Sequence, residues 1–180
     1  MILTRVKSSG WDVVFVYVII LLAISTGFSA EISMINGMAP AFTLKDQHQT
    51  SHHYQFPRPK ISVLIFADYA GSTQLENWIR PLYDRYRETI AIDGVADLSK
   101  VPKLIRGMVR AAFRDRLARP VMLDWSGAVS TDYHYQKGEA NLFVIDPSGH
   151  ILLKVIGAAS HDKLQRIQNA IDRQLNANRP

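Results

Sequence analysis

The 180-residue chain contains no cysteine. This absence excludes thiolate nucleophiles, disulfide bonds, iron–sulfur clusters and zinc–thiolate sites together. The patterns of RNP, zinc-finger and homeodomain proteins are also missing, so nucleic-acid binding is not predicted. The excess of positive charge is small, with 21 Lys and Arg against 16 Asp and Glu. It is compatible with an anionic membrane surface or an acidic partner and identifies neither.

Residues 1–30 have the pattern of an export signal. Arg5 and Lys7 precede an uninterrupted apolar run at 13–24, and small residues follow it. Such a run is short for a membrane span, which needs about 20 residues, but its extension to the end of this segment leaves an N-terminal anchor open. We therefore predict a cleaved signal peptide or a retained membrane anchor, followed by one domain at 31–180. Either alternative places the domain in the periplasm or on the extracytoplasmic face of the membrane.

Apolar periodicity predicts strands and helices in alternation within this domain. Ile61–Ala67 is apolar almost throughout, as expected for a strand buried on both faces. The segment 103–117 has the spacing of an amphipathic helix. The other predicted elements are a hairpin at 41–46 and 52–55, a helix at 75–86, strands at 89–95, 121–125, 142–145 and 151–156, a helical turn at 128–135, and a helix from about 160 to 175. This order indicates a central sheet with helices on both faces.

Three short motifs occur in order along the chain. Residues 37–46 read GMAPAFTLKD, residues 63–71 read VLIFADYAG, and residues 141–149 read NLFVIDPSG. Together with the predicted elements, they resemble the thioredoxin-like superfamily, especially its peroxiredoxin and exported, membrane-tethered branches. The resemblance implies an α/β three-layer sandwich, in which a central mixed β-sheet is flanked by helices and preceded by an N-terminal hairpin.

The same resemblance locates a redox motif that has lost its thiols. Its degenerate positions are Ala70, Gly71, Ser72, Thr73, Glu76 and Ala140. A thioredoxin-like register puts Ala70 and Thr73 in the two cysteine positions, whereas a peroxiredoxin-like register puts Glu76 in the peroxidatic position. Ala140 falls where the superfamily has a cis-proline facing the motif. The resemblance therefore implies that thiol–disulfide exchange and thiol peroxidase activity are absent, and that no residue is catalytic.

Thr73 and Glu76 have the spacing of a capping box, in which each side chain satisfies a free N–H at a helix start. We predict this structural role for the pair. The alternative is a non-thiol enzyme in which Glu76 acts as a general acid or base.

Three histidines, His48, His52 and His53, cluster in the predicted hairpin and are weak candidates for a metal site. Adjacent strand residues point to opposite faces, so His52 and His53 do not readily share one ion. We predict a solvated hairpin with no metal and no cofactor, and a histidine-based metal-binding module stays as an alternative.

The aromatic residues near the degenerate motif are candidates for a partner surface, although packing within the domain explains them equally well. They are Tyr69, Tyr133, His134 and Tyr135. Aromatic side chains suit peptide binding, and superfamily members bind polypeptides beside the redox motif. The resulting hypothesis is a redox-inactive exported domain that binds a protein or peptide in the cell envelope.

The helix predicted at 103–117 carries arginines at positions 106, 110 and 114, opposite to its apolar residues. We predict a solvated outer face for this stripe. The alternative is contact with anionic lipid or an acidic partner.

Overall fold

A computed structural model describes residues 32–33 and 37–177. The predicted export segment lies outside these residues. The strands are β1 (Ile32–Ser33), β2 (Phe42–Lys45), β3 (Ser51–Tyr54), β4 (Ser62–Ala67), β5 (Ala91–Asp97), β6 (Met122–Asp124), β7 (Asn141–Ile145) and β8 (Ile151–Ile156). The helices are α1 (Tyr69–Ser72), α2 (Glu76–Tyr86), α3 (Arg106–Arg116), α4 (Ala128–Asp132) and α5 (His161–Ala177). Within the described residues, no helix is long and apolar enough to cross a membrane.

Six strands form a mixed sheet in the order β1-β8-β7-β4-β5-β6, and β2 pairs with β3 in a separate hairpin. β4, β5 and β6 run parallel, whereas β7, β8 and β1 continue the sheet antiparallel. β4 lies inside the sheet, and all six of its residues are buried. This burial explains why its sequence is a continuous apolar run rather than an alternating one.

The order of the crossovers determines which face of the sheet the longer helices cover. The connections β4–α2–β5 and β5–α3–β6 proceed in the same direction, so right-handed crossovers place α2 and α3 on one face. Trp78 of α2 and Ile167 of α5 pack there against Val63 and neighbouring sheet residues. The hairpin and the segment around α4 cover the other face, where Phe66 lies. The predicted three-layer α/β sandwich with an N-terminal hairpin is confirmed.

The predicted boundaries lie within about three residues of the observed ones, and at two elements a 3₁₀ turn accounts for the difference. The strand predicted at 89–95 runs from Ala91 to Asp97, because a 3₁₀ turn at Arg87–Thr89 follows α2. The helix predicted at 103–117 consists of a 3₁₀ turn at Lys103–Ile105 and the α-helix from 106 to 116. The last helix begins beside Ser160, whose Oγ accepts a hydrogen bond from the Lys163 N–H at 3.3 Å.

Candidate functional site

The degenerate redox motif follows the carboxyl end of β4, and Asp68 organises it. Its Oδ1 accepts a hydrogen bond from the Gly71 N–H at 2.9 Å and thereby caps α1. Its Oδ2 accepts from the Gly138 N–H at 2.9 Å, and its own N–H donates to the Tyr135 hydroxyl at 2.8 Å. Burial raises the pKa of Asp68, but the bonds from Gly71 and Gly138 outweigh burial and leave the pKa below its usual range. Sequence reasoning missed this role, although an aspartate directly before a helical turn is a recognised capping signal.

Gly71 lies in direct contact with the segment before β7. A Cβ at this position would be 2.7 Å from both the carbonyl carbon and the carbonyl oxygen of Glu139, and 3.0 Å from the Ala140 nitrogen. The structure therefore brings together Gly71 and Ala140, which the resemblance placed on opposite sides of the site. Within the described residues the cis peptide bond is Phe56–Pro57, so the bond before Ala140 is trans.

The side chain of Gln74 links the end of the degenerate motif to the segment before β7. Its Nε2 donates to Glu139 Oε2 at 2.8 Å, and its Oε1 accepts from the Ala140 N–H at 3.0 Å. This N–H is consequently not free to pair with an added peptide. Nothing in the sequence marks Gln74, because its partners are 65 and 66 residues away along the chain.

The predicted capping box at Thr73 and Glu76 is wrong. The Thr73 hydroxyl donates to the Ala70 carbonyl at 2.9 Å, and α2 begins after Leu75 without a side-chain cap. Glu76 instead forms an exposed ion pair with Arg80 at 3.0 Å. The reason is that Asp68 starts a separate one-turn helix, which puts Thr73 at the end of that turn rather than before a helix. Glu76 lies on an exposed helix face and is not enclosed in a cleft as a general acid or base would be.

The predicted aromatic surface is wrong for two of its four members. Tyr133 and Tyr135 are buried, and burial raises the pKa of both hydroxyls. The Tyr133 ring packs against Phe66, and its hydroxyl donates to the Pro40 carbonyl at 2.8 Å, so the hairpin covers it. Of these four residues, only Tyr69, which is 93% exposed, and His134 are accessible to solvent.

The three hairpin histidines do not point to a common site. His52 Nε2 lies 2.8 Å from Asp46 Oδ2, whereas the His53 ring contacts the Thr43 hydroxyl at 3.0 Å. Burial raises the pKa of Asp46, but the hydrogen bond with His52 and those from main-chain N–H groups leave it lowered. His48 lies in the turn, where its N–H donates to Asp46. In the described part of the chain, no three His, Cys, Asp or Glu side chains are grouped closely enough to hold a metal ion.

Two further aspartates end the parallel strands next to Asp68, and both are structural. Asp124 is fully buried and accepts four hydrogen bonds of 2.8–2.9 Å, from Ser126 Oγ, the Gly127 N–H, the Ser130 N–H and Ser130 Oγ. Asp97 accepts from the Ser99 N–H at 2.9 Å and lies 3.6 Å from the Lys137 ammonium. The carboxyl edge of the parallel strands is thus satisfied by the protein itself.

The amino-terminal half of β5 is different, because only one of its sides is paired. β4 pairs with β5 from Ala91 to Ala96, but β6 pairs only with Val95–Asp97. No strand in the described part of the chain covers the outer side of Ala91–Gly94. All four of these residues are half-buried although they belong to an inner strand.

Main-chain geometry shows which groups face this open side. Ala91 donates its N–H to the Ile61 carbonyl beside β4 at 2.8 Å, and Leu98 donates to the Asp124 carbonyl of β6 at 3.0 Å. Main-chain groups alternate in direction along a strand, so the even-numbered residues of β5 face away from β4. The N–H and the C=O of Ile92 therefore point into the open side.

A groove with basic side chains runs along this edge. Two adjoining cavities of about 220 and 230 Å³ share Ile92, Asp93 and Arg119 in their walls. Charged residues at the rim of the first cavity are Lys60, Arg87 and Glu88. The guanidinium groups of Arg87 and Arg119 lie over the Tyr83 ring, 5.5 and 4.7 Å from its centre. Cation–π contacts of this kind hold the two cations in place at the groove.

Polar side chains beneath the groove are poorly satisfied. Among the described residues, the buried side-chain atoms without a well-formed hydrogen bond are Tyr54 Oη, Ser62 Oγ and Asp93 Oδ2. Asp93 Oδ2 has an ion-pair contact with Arg58 at 3.1 Å, and this guanidinium also lies 4.3 Å from the centre of the Tyr54 ring. Burial raises the pKa of Tyr54, as does the nearby Asp93 carboxylate. Asp93 is therefore held at the groove by Arg58, beside two buried hydroxyls that lack a well-formed hydrogen bond.

The sequence matches no family model and no curated protein, but solved structures match the fold. A proposed protein disulfide isomerase from Bacteroides thetaiotaomicron is 18% identical, with a TM-score of 0.60 over 79% of this chain and 90% of its own. The exposed lipoprotein thioredoxin from Streptococcus pneumoniae is 15% identical, with a TM-score of 0.58 over 72% and 99%. Peroxidoxin BcpB from Mycobacterium tuberculosis is 20% identical, with a TM-score of 0.54 over 82% and 99%. The chain thus has a thioredoxin-like fold and no cysteine for the redox chemistry after which these neighbours are named.

Proposed function

We propose that this protein is a redox-inactive thioredoxin-like domain that binds an extended segment of a protein partner outside the cytoplasm. The observation that carries the proposal is the open half of β5, where the main-chain groups of Ile92 face a groove with a basic rim. Two features support the location: the export pattern of residues 1–30 and the fold shared with an exposed lipoprotein thioredoxin.

An extended peptide suits this edge because its main chain supplies the hydrogen-bond partners that the open side of β5 lacks. A strand added beside β5 would accept a hydrogen bond from the Ile92 N–H and donate one to its C=O, as in β-strand addition. Main-chain pairing provides affinity in this binding mode, and side-chain contacts select the sequence. The cations of Lys60, Arg87 and Arg119 outnumber Glu88 at the rim, and Asp93 in the wall is paired with Arg58. The excess of positive charge would favour acidic side chains on the peptide.

The surface beside the degenerate motif is a weaker site for the same partner. Gln74 already occupies the Ala140 N–H, and Tyr133 and Tyr135 are buried. Tyr69 alone offers a large exposed aromatic ring there. The groove at β5 has both unpaired main-chain groups and complementary charge, so it is the site that we test.

The test uses a fluorescent synthetic peptide of alternating glutamate and valine, with a lysine–valine peptide of equal length as its control. We expect saturable binding of the acidic peptide only, with slower hydrogen exchange at the Ile92 amide. Arg119→Glu should weaken this binding by about tenfold or more, because it places like charges together. The charge-matched control is Arg166→Glu on the exposed side of α5, which should leave the affinity unchanged.

Three results would overturn the assignment of the groove. They are equal binding of both peptides, no change in exchange at Ile92, and an affinity that Arg166→Glu reduces as much as Arg119→Glu does. Loss of binding in Tyr69→Ala with Arg119→Glu unaffected would move the partner site to the surface beside the degenerate motif.

A further inference from the structure

The outward face of α3 and of the 3₁₀ turn before it carries large apolar side chains. Leu104 is 95% exposed and Met108 is 68% exposed. These two residues are four positions apart, so they lie on the same side of the helix. The opposite side, with Val109 and Phe113, packs against the sheet, yet no residue of α3 is fully buried. Leu104 and Met108 therefore contribute nothing to the core.

The same segment holds the positive charge of the whole chain. Residues 100–119 contain seven of the 21 Lys and Arg residues but only one acidic residue, Asp115. The net charge of this stretch is +6, whereas that of the complete chain is +5. The rest of the protein is accordingly close to neutral. The net positive charge of the chain comes from one helix and the residues that flank it.

The arginines of α3 do not all have the same role, which corrects the predicted solvated stripe. Arg106 is structural: its guanidinium donates to the Trp125 carbonyl at 3.0 Å and lies 5.3 Å from the centre of the Trp125 ring. Arg114 is exposed and has only a long contact with Asp115 at 3.9 Å. Helical spacing puts the exposed Arg114 and Arg116 on the two flanks of the apolar face, with Asp115 on that face about two turns beyond Met108. Arg110 is half-buried and lies on the opposite side of the helix, next to Arg106.

We propose that α3 and its preceding turn lie flat on an anionic lipid surface. Leu104 and Met108 would enter the boundary between headgroups and acyl chains, while the flanking arginines would meet lipid phosphates. An apolar face between cations is the pattern of an interfacial helix. Nucleic acid would satisfy the arginines but supplies no apolar layer for Leu104 and Met108, and binding of an acidic polypeptide is a separate outcome of the test below. This lipid contact is independent of the peptide groove at β5.

The absence of cysteine makes a site-specific test direct. A single cysteine introduced by Leu104→Cys can be labelled with an environment-sensitive nitrobenzoxadiazole dye in the full chain. Tyr69→Cys, at another highly exposed position, is the matched control. Both labelled proteins are mixed with vesicles of pure phosphatidylcholine and with vesicles that contain about one-third phosphatidylglycerol.

We expect a blue shift and a rise in emission at position 104 only with the anionic vesicles, and no change at position 69. Arg114→Glu with Arg116→Glu should weaken this response by about tenfold or more, because each cation near an anionic surface adds to the binding. The signal of the control position separates docking of α3 from any membrane association through the N-terminal segment.

Equal responses at both positions, or with both kinds of vesicle, would overturn the proposal. A blue shift at position 104 produced by soluble polyglutamate or duplex DNA would assign this face to an acidic polymer instead. Neither result would bear on the groove at β5, since the substitutions in the two tests affect different residues.

Discussion

Polar groups at the carboxyl edge of the parallel strands are hydrogen-bonded within the protein. Along the amino-terminal half of β5, by contrast, main-chain groups are left unpaired on one side. At the carboxyl edge, Asp68 and Asp124 receive hydrogen bonds from surrounding N–H groups, and Gln74 occupies the free groups of the Glu139–Ala140 segment. Along the open half of β5, the main chain of Ile92 faces a groove, and on that side no strand of the described residues pairs with it. The position where the resemblance places the redox motif is a closed contact between α1 and the segment before β7, that is, a structural joint. Binding is consequently expected where groups are still unsatisfied.

The largest effect should come from filling the contact at Gly71. Gly71→Ala would place a Cβ 2.7 Å from the Glu139 carbonyl, and main-chain atoms cannot rotate away as a flexible side chain does. We expect a loss of about 3 kcal/mol in the free energy of unfolding, at the upper end for overpacking. Urea denaturation measures this loss directly.

Gly107→Ala in α3 is the matched control, because nothing lies within 4 Å of a Cβ there. Replacement of a helical glycine by alanine without a clash should stabilise the protein by about 0.5–1 kcal/mol. If Gly71→Ala behaves like Gly107→Ala, the redox position is not a closed joint and the contrast with β5 fails.

Much of the fold follows from the sequence because local patterns determine it. The apolar run at 61–67 predicts a strand buried on both faces, and that strand lies inside the sheet. The helical spacing between Leu75 and Tyr86 likewise predicts α2, which packs Trp78 and Leu82 into the core. In both cases one periodic stretch contains the information.

The candidate sites are less accessible to sequence reasoning because they depend on distant residues. Tyr133 is assigned to a surface from its neighbourhood in the chain, but Phe42 of the hairpin packs against its ring and the Pro40 carbonyl accepts its hydroxyl. The open half of β5 arises because β6 begins its pairing only at Val95. No local pattern gives the length of a neighbouring strand or the course of a loop over a face.

A second, smaller effect should come from Asp68, whose carboxylate joins α1 to the segment before β7. Asp68→Ala removes the bonds from Gly71 and Gly138 and should destabilise the protein by about 2 kcal/mol at neutral pH. Asp68→Asn should cost less, since its remaining oxygen still accepts one of these bonds. Asp84→Ala, at an exposed position on α2, is the control and should change stability very little.

The effect of Asp68 should also depend on pH in a defined direction. Its folded-state pKa lies below the ordinary value of 3.8. The stabilising contribution is therefore complete above about pH 5 and disappears as the pH falls through the lowered pKa. Unfolding curves of wild type and Asp68→Ala should thus converge in acid. A difference that stays constant down to about pH 2 would show that the carboxylate charge is not what holds the joint.

The smallest effects should occur at Thr73 and Glu76, the residues whose spacing resembles a capping box. The Thr73 hydroxyl bonds only to the Ala70 carbonyl, and Glu76 forms a solvent-exposed pair with Arg80. Exposed pairs of this spacing contribute about 0.3–0.5 kcal/mol, whereas loss of a working N-cap costs about 1 kcal/mol. Thr73→Ala and Glu76→Ala should each reduce the free energy of unfolding by no more than about 0.5 kcal/mol, and the pair should be additive. A loss near 1 kcal/mol in each, with strong coupling between them, would restore the capping box and place the start of α2 at Thr73. The joint at the redox position would then depend on these two residues as well as on Asp68.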